Sequence, residues 1–148
     1  MTTIRGVLAA IAFFAVLSAC TDYVLDASYA TRAEAEADGA MRRGWIPVWI
    51  PPEATHLREV HNQDSNESAL RFDIPKTLGW KPPASCRKAD RGEFAAPDFD
   101  RDWLPDLASG YVFYRCPIVR HPGSAPMVSA VAVHESGRHA VHWRGFAR

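Results

Sequence analysis

Met127-Val-Ser-Ala-Val-Ala-Val-His134 and Arg138-His-Ala-Val-His-Trp143, separated by a turn centred on Ser136-Gly137, decide the fold. Both runs are rich in β-formers, and the two-residue turn between them is a hairpin signal. Such a turn sets His134 opposite His139, Ala132 opposite Val141 and Ala130 opposite Trp143. Working outward, Tyr111-Val-Phe-Tyr-Arg-Cys116 predicts a third strand by β-propensity. Residues 55–62 and 68–74 predict two more, the second with Leu70, Phe72 and Ile74 alternating with Arg71 and Asp73. Residues 75–109 are broken by Pro75, Pro82, Pro83, Pro97 and Pro105 into turns, with a helical turn near 76–79.

Upstream, Trp45-Ile-Pro-Val-Trp-Ile-Pro-Pro52 is an extended apolar strap, because its prolines remove donors and push their predecessors out of helical geometry. Before it, Thr31-Arg-Ala-Glu34 reads as a capping box opening a helix. That helix carries Ala33, Ala37, Ala40 and Met41 at helical spacing, Arg42 and Arg43 at its end and Gly44 past it. Gly39 inside it costs up to about 1 kcal/mol relative to Ala. The expected fold class is therefore α+β: a small antiparallel sheet of four to five strands with one main helix packed on it.

At the N-terminus, about 12 apolar residues after Arg5 suit a signal-peptide core and are too short to span a bilayer. They end in Leu17-Ser-Ala-Cys20, which resembles a bacterial lipobox. The resemblance implies cleavage after residue 19 and acylation of Cys20 by palmitate-type chains, enough to hold a protein on a membrane. An ordinary secretory signal or an uncleaved anchor are the plainer readings. Thr21, rather than Asp, after Cys20 favours the outer membrane over the inner. The implied organisation is a signal peptide over 1–19, a lipidated Cys and tether over 20–30, and one domain over 31–148.

Removing residues 1–19 takes away Arg5 and no acid, leaving 16 basic against 17 acidic residues. That balance offers no basic field to nucleic acid. With Cys20 acylated, Cys86 and Cys116 remain as a pair suited to a disulfide in an oxidising compartment. A reactive thiol or two metal ligands are the alternatives, although two Cys 30 apart make a poor zinc signature.

Candidate chemistry is thin. His134 and His139 are weak metal candidates as cross-strand neighbours, but strand alternation turns His142 to the other face, leaving two ligands where a catalytic zinc wants three. His56 and His61 face opposite sides of an unbulged strand. Ser65, between Asp64 and Glu67, has no nucleophile motif around it. Asp98, Asp100 and Asp102 alternate like part of a calcium loop but lack the central Gly and distal Glu. Trp45, Trp49 and Trp80, set among prolines, suit an interaction surface for an envelope protein or glycan; they equally suit lids on the core.

Gly44-Trp-Ile-Pro-Val-Trp-Ile-Pro-Pro-Glu-Ala54, with the following His-Leu-Arg-Glu-Val-His-Asn-Gln-Asp-Ser-Asn-Glu-Ser and Leu70-Arg-Phe72, resembles a family of small bacterial exported proteins and lipoproteins. In these a helix ending in Arg-Gly-Trp leads into a Trp-(Ile/Leu)-Pro segment and a strand-turn-strand. The resemblance spans about residues 28–75 and implies no activity or catalytic residue. The sequence thus points to a periplasm-facing, lipid-anchored, non-enzymatic binding module without a cofactor. A small metal-dependent or hydrolytic periplasmic enzyme is the alternative.

Overall fold

Seven strands build one antiparallel sheet in this computed structural model, which describes residues 23–118, 123 and 126–147. They are β1 (Val24–Thr31), β2 (Thr55–Asn62), β3 (Ser68–Asp73), β4 (Arg87–Ala89), β5 (Tyr111–Cys116), β6 (Met127–His134) and β7 (His139–Phe146). Their order across the sheet is β1-β2-β3-β7-β6-β5-β4. The signal peptide and Cys20 lie outside the described residues.

The hairpin of β6 and β7 pairs Ala132 with Val141 and Ala130 with Trp143. Gly137 in its turn takes φ +67°, a conformation costly for any side chain. β3 returns from the other half of the chain to pair with β7, Leu70 opposite His142 and Phe72 opposite Ala140.

The α+β expectation with one main helix is corrected by this architecture. The helical segment is two short pieces, α1 (Arg32–Ala37) and α2 (Ala40–Arg43). Gly39 at φ +78° separates them, so the residue expected to weaken one helix ends the first and begins the second. At the start of α1 the Thr31 hydroxyl accepts from the Glu34 N–H at 3.2 Å. The Glu34 carboxylate accepts from Ala30, one residue before the cap, at 2.8 Å.

Two strands enlarge the sheet beyond five. Residues 24–30, read from sequence as tether, belong to β1, which pairs along the whole of β2. β4 is a three-residue edge, Arg-Lys-Ala, whose charges protect an open ladder.

Paired residues share a face, and neighbours along a strand alternate. One face carries Leu57, Leu70, Phe72 and Ala140, covered by α1, α2 and the strap through Ala35, Met41, Ile46 and Ile50. The other carries Val60, Ala69, Phe113, Ala132, Val141 and Trp143, covered by Phe94, Phe99, Trp103, Leu104 and Leu107 from the segment between β4 and β5. The proline-broken stretch is thus a packed layer. Arg101 pins it to the far edge, its Nε and Nη2 each 2.8 Å from the Asp26 carboxylate on β1.

Cys86 and Cys116 are joined, with Cα atoms 4.1 Å apart and a sequence separation of 30. The closed loop contains β4 and the covering layer. Replacing both Cys by Ala is expected to lower stability by about 3.5 kcal/mol through loop entropy. A shift in the urea midpoint well below that, with the oxidised parent as reference, would mean the layer holds without the bond.

Candidate interaction surface

The strap rises from Gly44, at φ +84°, and crosses the helix-covered face. It is not the extended segment its prolines suggest: two turns shape it, the Ile50 N–H donating to the Pro47 carbonyl at 3.4 Å and the Ala54 N–H to the Pro51 carbonyl at 3.0 Å. Two contacts fasten it: the Arg32 guanidinium donates to the Val48 carbonyl at 3.3 Å, and the Arg32 N–H to the Ala54 carbonyl at 3.0 Å. Ile46, Ile50 and Pro51 point down and are buried; Val48 points out and is 70 % exposed. Trp45 and Trp49 are half-buried between these extremes, as is Trp80. Buried Ile46 and Ile50, four residues apart with exposed Val48 between them, fit a strap that grips the core at two points and displays the turn between them.

Beneath the aromatic rings the sheet is polar. His61, Ser68, Arg144 and Ser129 form one row across β2, β3, β7 and β6, and Glu59 and His142 lie in the next row on the same face. Trp45 stacks flat on His61 with ring centroids 3.8 Å apart and planes at 11°. The Arg144 guanidinium lies 5.3 Å over the Trp45 ring, and its Nε donates to the Ser68 hydroxyl at 3.1 Å. Trp49 meets His142 edge-on at 5.3 Å and stacks with Trp80 at 6.1 Å, while Trp80 sits edge-on against Phe72. All three tryptophans therefore have a rigid base.

Glu59 is 2 % exposed and lies 2.8 Å from His61 Nδ1. Burial pushes its carboxyl up to about 8; Asp26 adds to the rise, and Arg144 and Arg43 oppose it. Burial first, then Arg144 and Arg43, hold His61 below the ordinary histidine value. The two shifts favour a neutral pair in which one proton is shared between the carboxyl and Nδ1. His142 is pushed down to about 3 by burial and then by Arg144. Its Nε2 is 3.0 Å from the Ser129 hydroxyl, and its buried Nδ1 has no hydrogen-bond partner among the described residues. Sequence reading passed over Glu59, His61 and Arg144 as a site, since polar residues two apart on a strand look like its solvent side.

The other sequence candidates fall elsewhere. His134 and His139 stack at 4.4 Å on the opposite face from His142. His139 Nε2 is 2.9 Å from the Tyr111 hydroxyl, and His134 Nδ1 is 2.8 Å from the Ser136 hydroxyl. Among the described residues no three His, Cys, Asp or Glu side chains converge on one point. His56, at φ +49°, sits where the β2–β3 register shifts, and its Nδ1 is 3.3 Å from Asp73. That shift overturns the unbulged strand assumed for His56 and His61. Asp64 and Ser65 donate backbone N–H groups to the Asn62 side chain, and the Ser65 hydroxyl donates to Glu67, so this loop is a self-bonded turn. Arg101 pairs with Asp26 rather than with the acids on either side of it.

Residues 24–73 match the family model described as the YbbD head domain, a family associated with the bacterial envelope. The matched stretch holds β1, both helices, the strap, β2 and β3, and β4–β7 lie outside it. No curated protein and no solved structure gives a significant match. Among the described residues no helix is long and apolar enough to cross a membrane.

Proposed function

We propose that the chain is a lipid-anchored protein of the bacterial cell envelope, facing the periplasm, whose folded domain is a non-enzymatic binding module. The observation that carries the binding role is the display of Trp45, Trp49 and Trp80 on a fixed base, with Val48 standing out of the same strap. Pre-positioned tryptophans lose little conformational freedom on binding, which is why they dominate interface energetics. An envelope protein or glycan suits such a surface. Support for the location comes from the family match, from the lipobox-like Leu17-Ser-Ala-Cys20, and from a Cys86–Cys116 bond that belongs to an oxidising compartment. Thr21 after Cys20 favours the outer membrane.

Crosslinking in cells followed by purification of the native lipoprotein tests the binding role. A reproducible partner, lost in a Val48→Asp variant that folds normally, is the expected result; no reproducible partner counts against it. For the anchor, Cys20→Ala is expected to abolish acyl labelling and move the protein from the membrane to the soluble fraction. Continued membrane association without acyl label in either form would sink the anchor.

A further inference from the structure

The two ends of the sheet differ in chemistry, and the chain leaves from one of them. β1 begins at Val24, opposite Asn62 at the end of β2; β2 turns through residues 62–67 into Ser68, which pairs with Arg144 near the end of β7. Phe146 closes β7 opposite Met127. Tyr23, Leu25 and Phe146 thus stand at one end of the sheet, 51 %, 40 % and 42 % exposed. The other end presents the exposed side chains of His56, Lys76, Glu135 and Arg138, with Leu78 in the turn beyond β3. Among the described residues the near end also carries charges of both signs: Asp64, Glu67, Arg87, Arg115 and Arg144.

We propose that the Tyr23–Leu25–Phe146 end of the sheet is a membrane-contact face that rests in the headgroup layer of the bilayer holding the protein. This rests on the lipid anchor at Cys20. Only three residue steps separate Cys20 from Tyr23, which bounds their Cα separation at roughly 11 Å. The polar layer on each side of a bilayer is about 5–8 Å deep, and an eight-residue strand runs about 26 Å. Tyr23 is therefore held at the interface, while the hairpin turn at residues 135–138 can lie a full strand length above it. The tether fixes which residues are near the membrane. The exposed aromatic and aliphatic side chains fix how the domain stands, since such groups favour the interface over bulk water. The strap lies on a side of the sheet and stays open to a periplasmic partner.

The test uses the mature acylated protein in phosphatidylcholine vesicles in which a fraction of headgroups carries a photoreactive group, with adducts mapped by peptide mass spectrometry. Labels are expected at Tyr23, Leu25 and Phe146, unchanged by salt, with background at residues 135–138 and at Val48. In a Tyr23→Ser/Phe146→Ser variant the labels should spread around the domain. Labelling concentrated at the hairpin turn or at Val48, or a variant pattern identical to the parent, overturns the orientation. The intact mass of the same sample reports the acyl chains: protein labelled at the wrong place but acylated refutes this face alone. Protein without acyl chains refutes the anchor, and this face with it.

Discussion

Trp143→Ala is expected to destabilise the domain by about 3–5 kcal/mol, the cost of truncating a fully buried aromatic. Trp143 is 1 % exposed and sits on β7, the central strand of the seven-stranded sheet. Its ring meets Phe94 at 5.8 Å and Phe113 at 6.5 Å, both edge-on, so it touches the covering layer and the sheet together. Its Nε1 donates to the Ala95 carbonyl at 3.0 Å, the one polar tie between this face and the layer that the ring itself makes. Removing the indole opens a cavity bounded by two unlike elements, and the prolines around the layer limit how far it can collapse inward. Trp143→Phe keeps most of the buried area but loses the hydrogen bond and the outer part of the bicyclic ring, at a cost expected to be about half that of the alanine. Urea midpoints for the two variants, read at unchanged slope, measure the two costs. Equal midpoints for Trp143→Ala and the parent would mean that the layer is not packed on the sheet.

Local chemistry was legible in the sequence where local chemistry decides the outcome. Ser136-Gly137 sets the β6–β7 register because a turn and its flanking strands lie within a dozen residues. The alternation of Leu70, Phe72 and Ile74 marks β3 for the same reason. β1 reads as a tether from sequence because Tyr23-Val-Leu-Asp-Ala-Ser-Tyr follows Cys20 closely, although Leu25, Ala27 and Tyr29 lie on one face and Val24, Asp26 and Ser28 on the other. Three residues at β4 carry no periodic signal at all. Propensity favours one continuous helix because it sees Ala, Glu and Arg and weights Gly39 only as a cost, whereas the Gly39 backbone sits at φ +78° and breaks the segment.

The polar row under the strap was hidden for a different reason. Glu59 and His61 flank Val60, and on an isolated strand that pattern places them in solvent. His61 is covered by Trp45, sixteen residues earlier, whose ring packs in turn against Arg144 from a strand more than eighty residues later. The side chains that bury a polar pair are not readable from the pair. Tryptophans in the strap were singled out from sequence, but what they stand on required the β2–β3–β7 pairing.

That row makes stability depend on pH, with a maximum expected near pH 6.5 and a decline on the alkaline side that belongs to Glu59. Its carboxyl is raised in the fold from 4.5 to about 8, so the folded state holds this proton where the unfolded chain has lost it. A folded state that binds the extra proton loses stability as pH rises, and the loss runs between those two values. The whole window is worth at most about 4–5 kcal/mol, of which about 2 kcal/mol falls between pH 6.5 and 8. The histidines act in the opposite sense. His142, held down to about 3, and His61 and His139, both lowered, are neutral in the fold where the unfolded chain takes a proton. Their contribution is complete above the ordinary histidine value and is lost as pH falls. Between pH 4.5 and 6.5 Glu59 and His142 therefore nearly cancel, and His61 and His139 tilt the balance toward higher pH. Below 4.5 His142 continues to destabilise, joined by Glu93, whose carboxylate Arg87 holds down to about 2. Glu59→Gln separates the limbs, because the amide can donate to His61 Nδ1 as the protonated acid does but cannot ionise. Thermal melts from pH 4 to 9 should show the alkaline decline flattened in Glu59→Gln, so that only the parent loses about 2 kcal/mol between pH 6.5 and 8, while the acid limb is kept and, with nothing left to cancel His142, steepens between pH 4.5 and 6.5. If the variant declines above pH 6.5 as steeply as the parent, Glu59 is already ionised in the fold, and the shared proton under Trp45 does not exist.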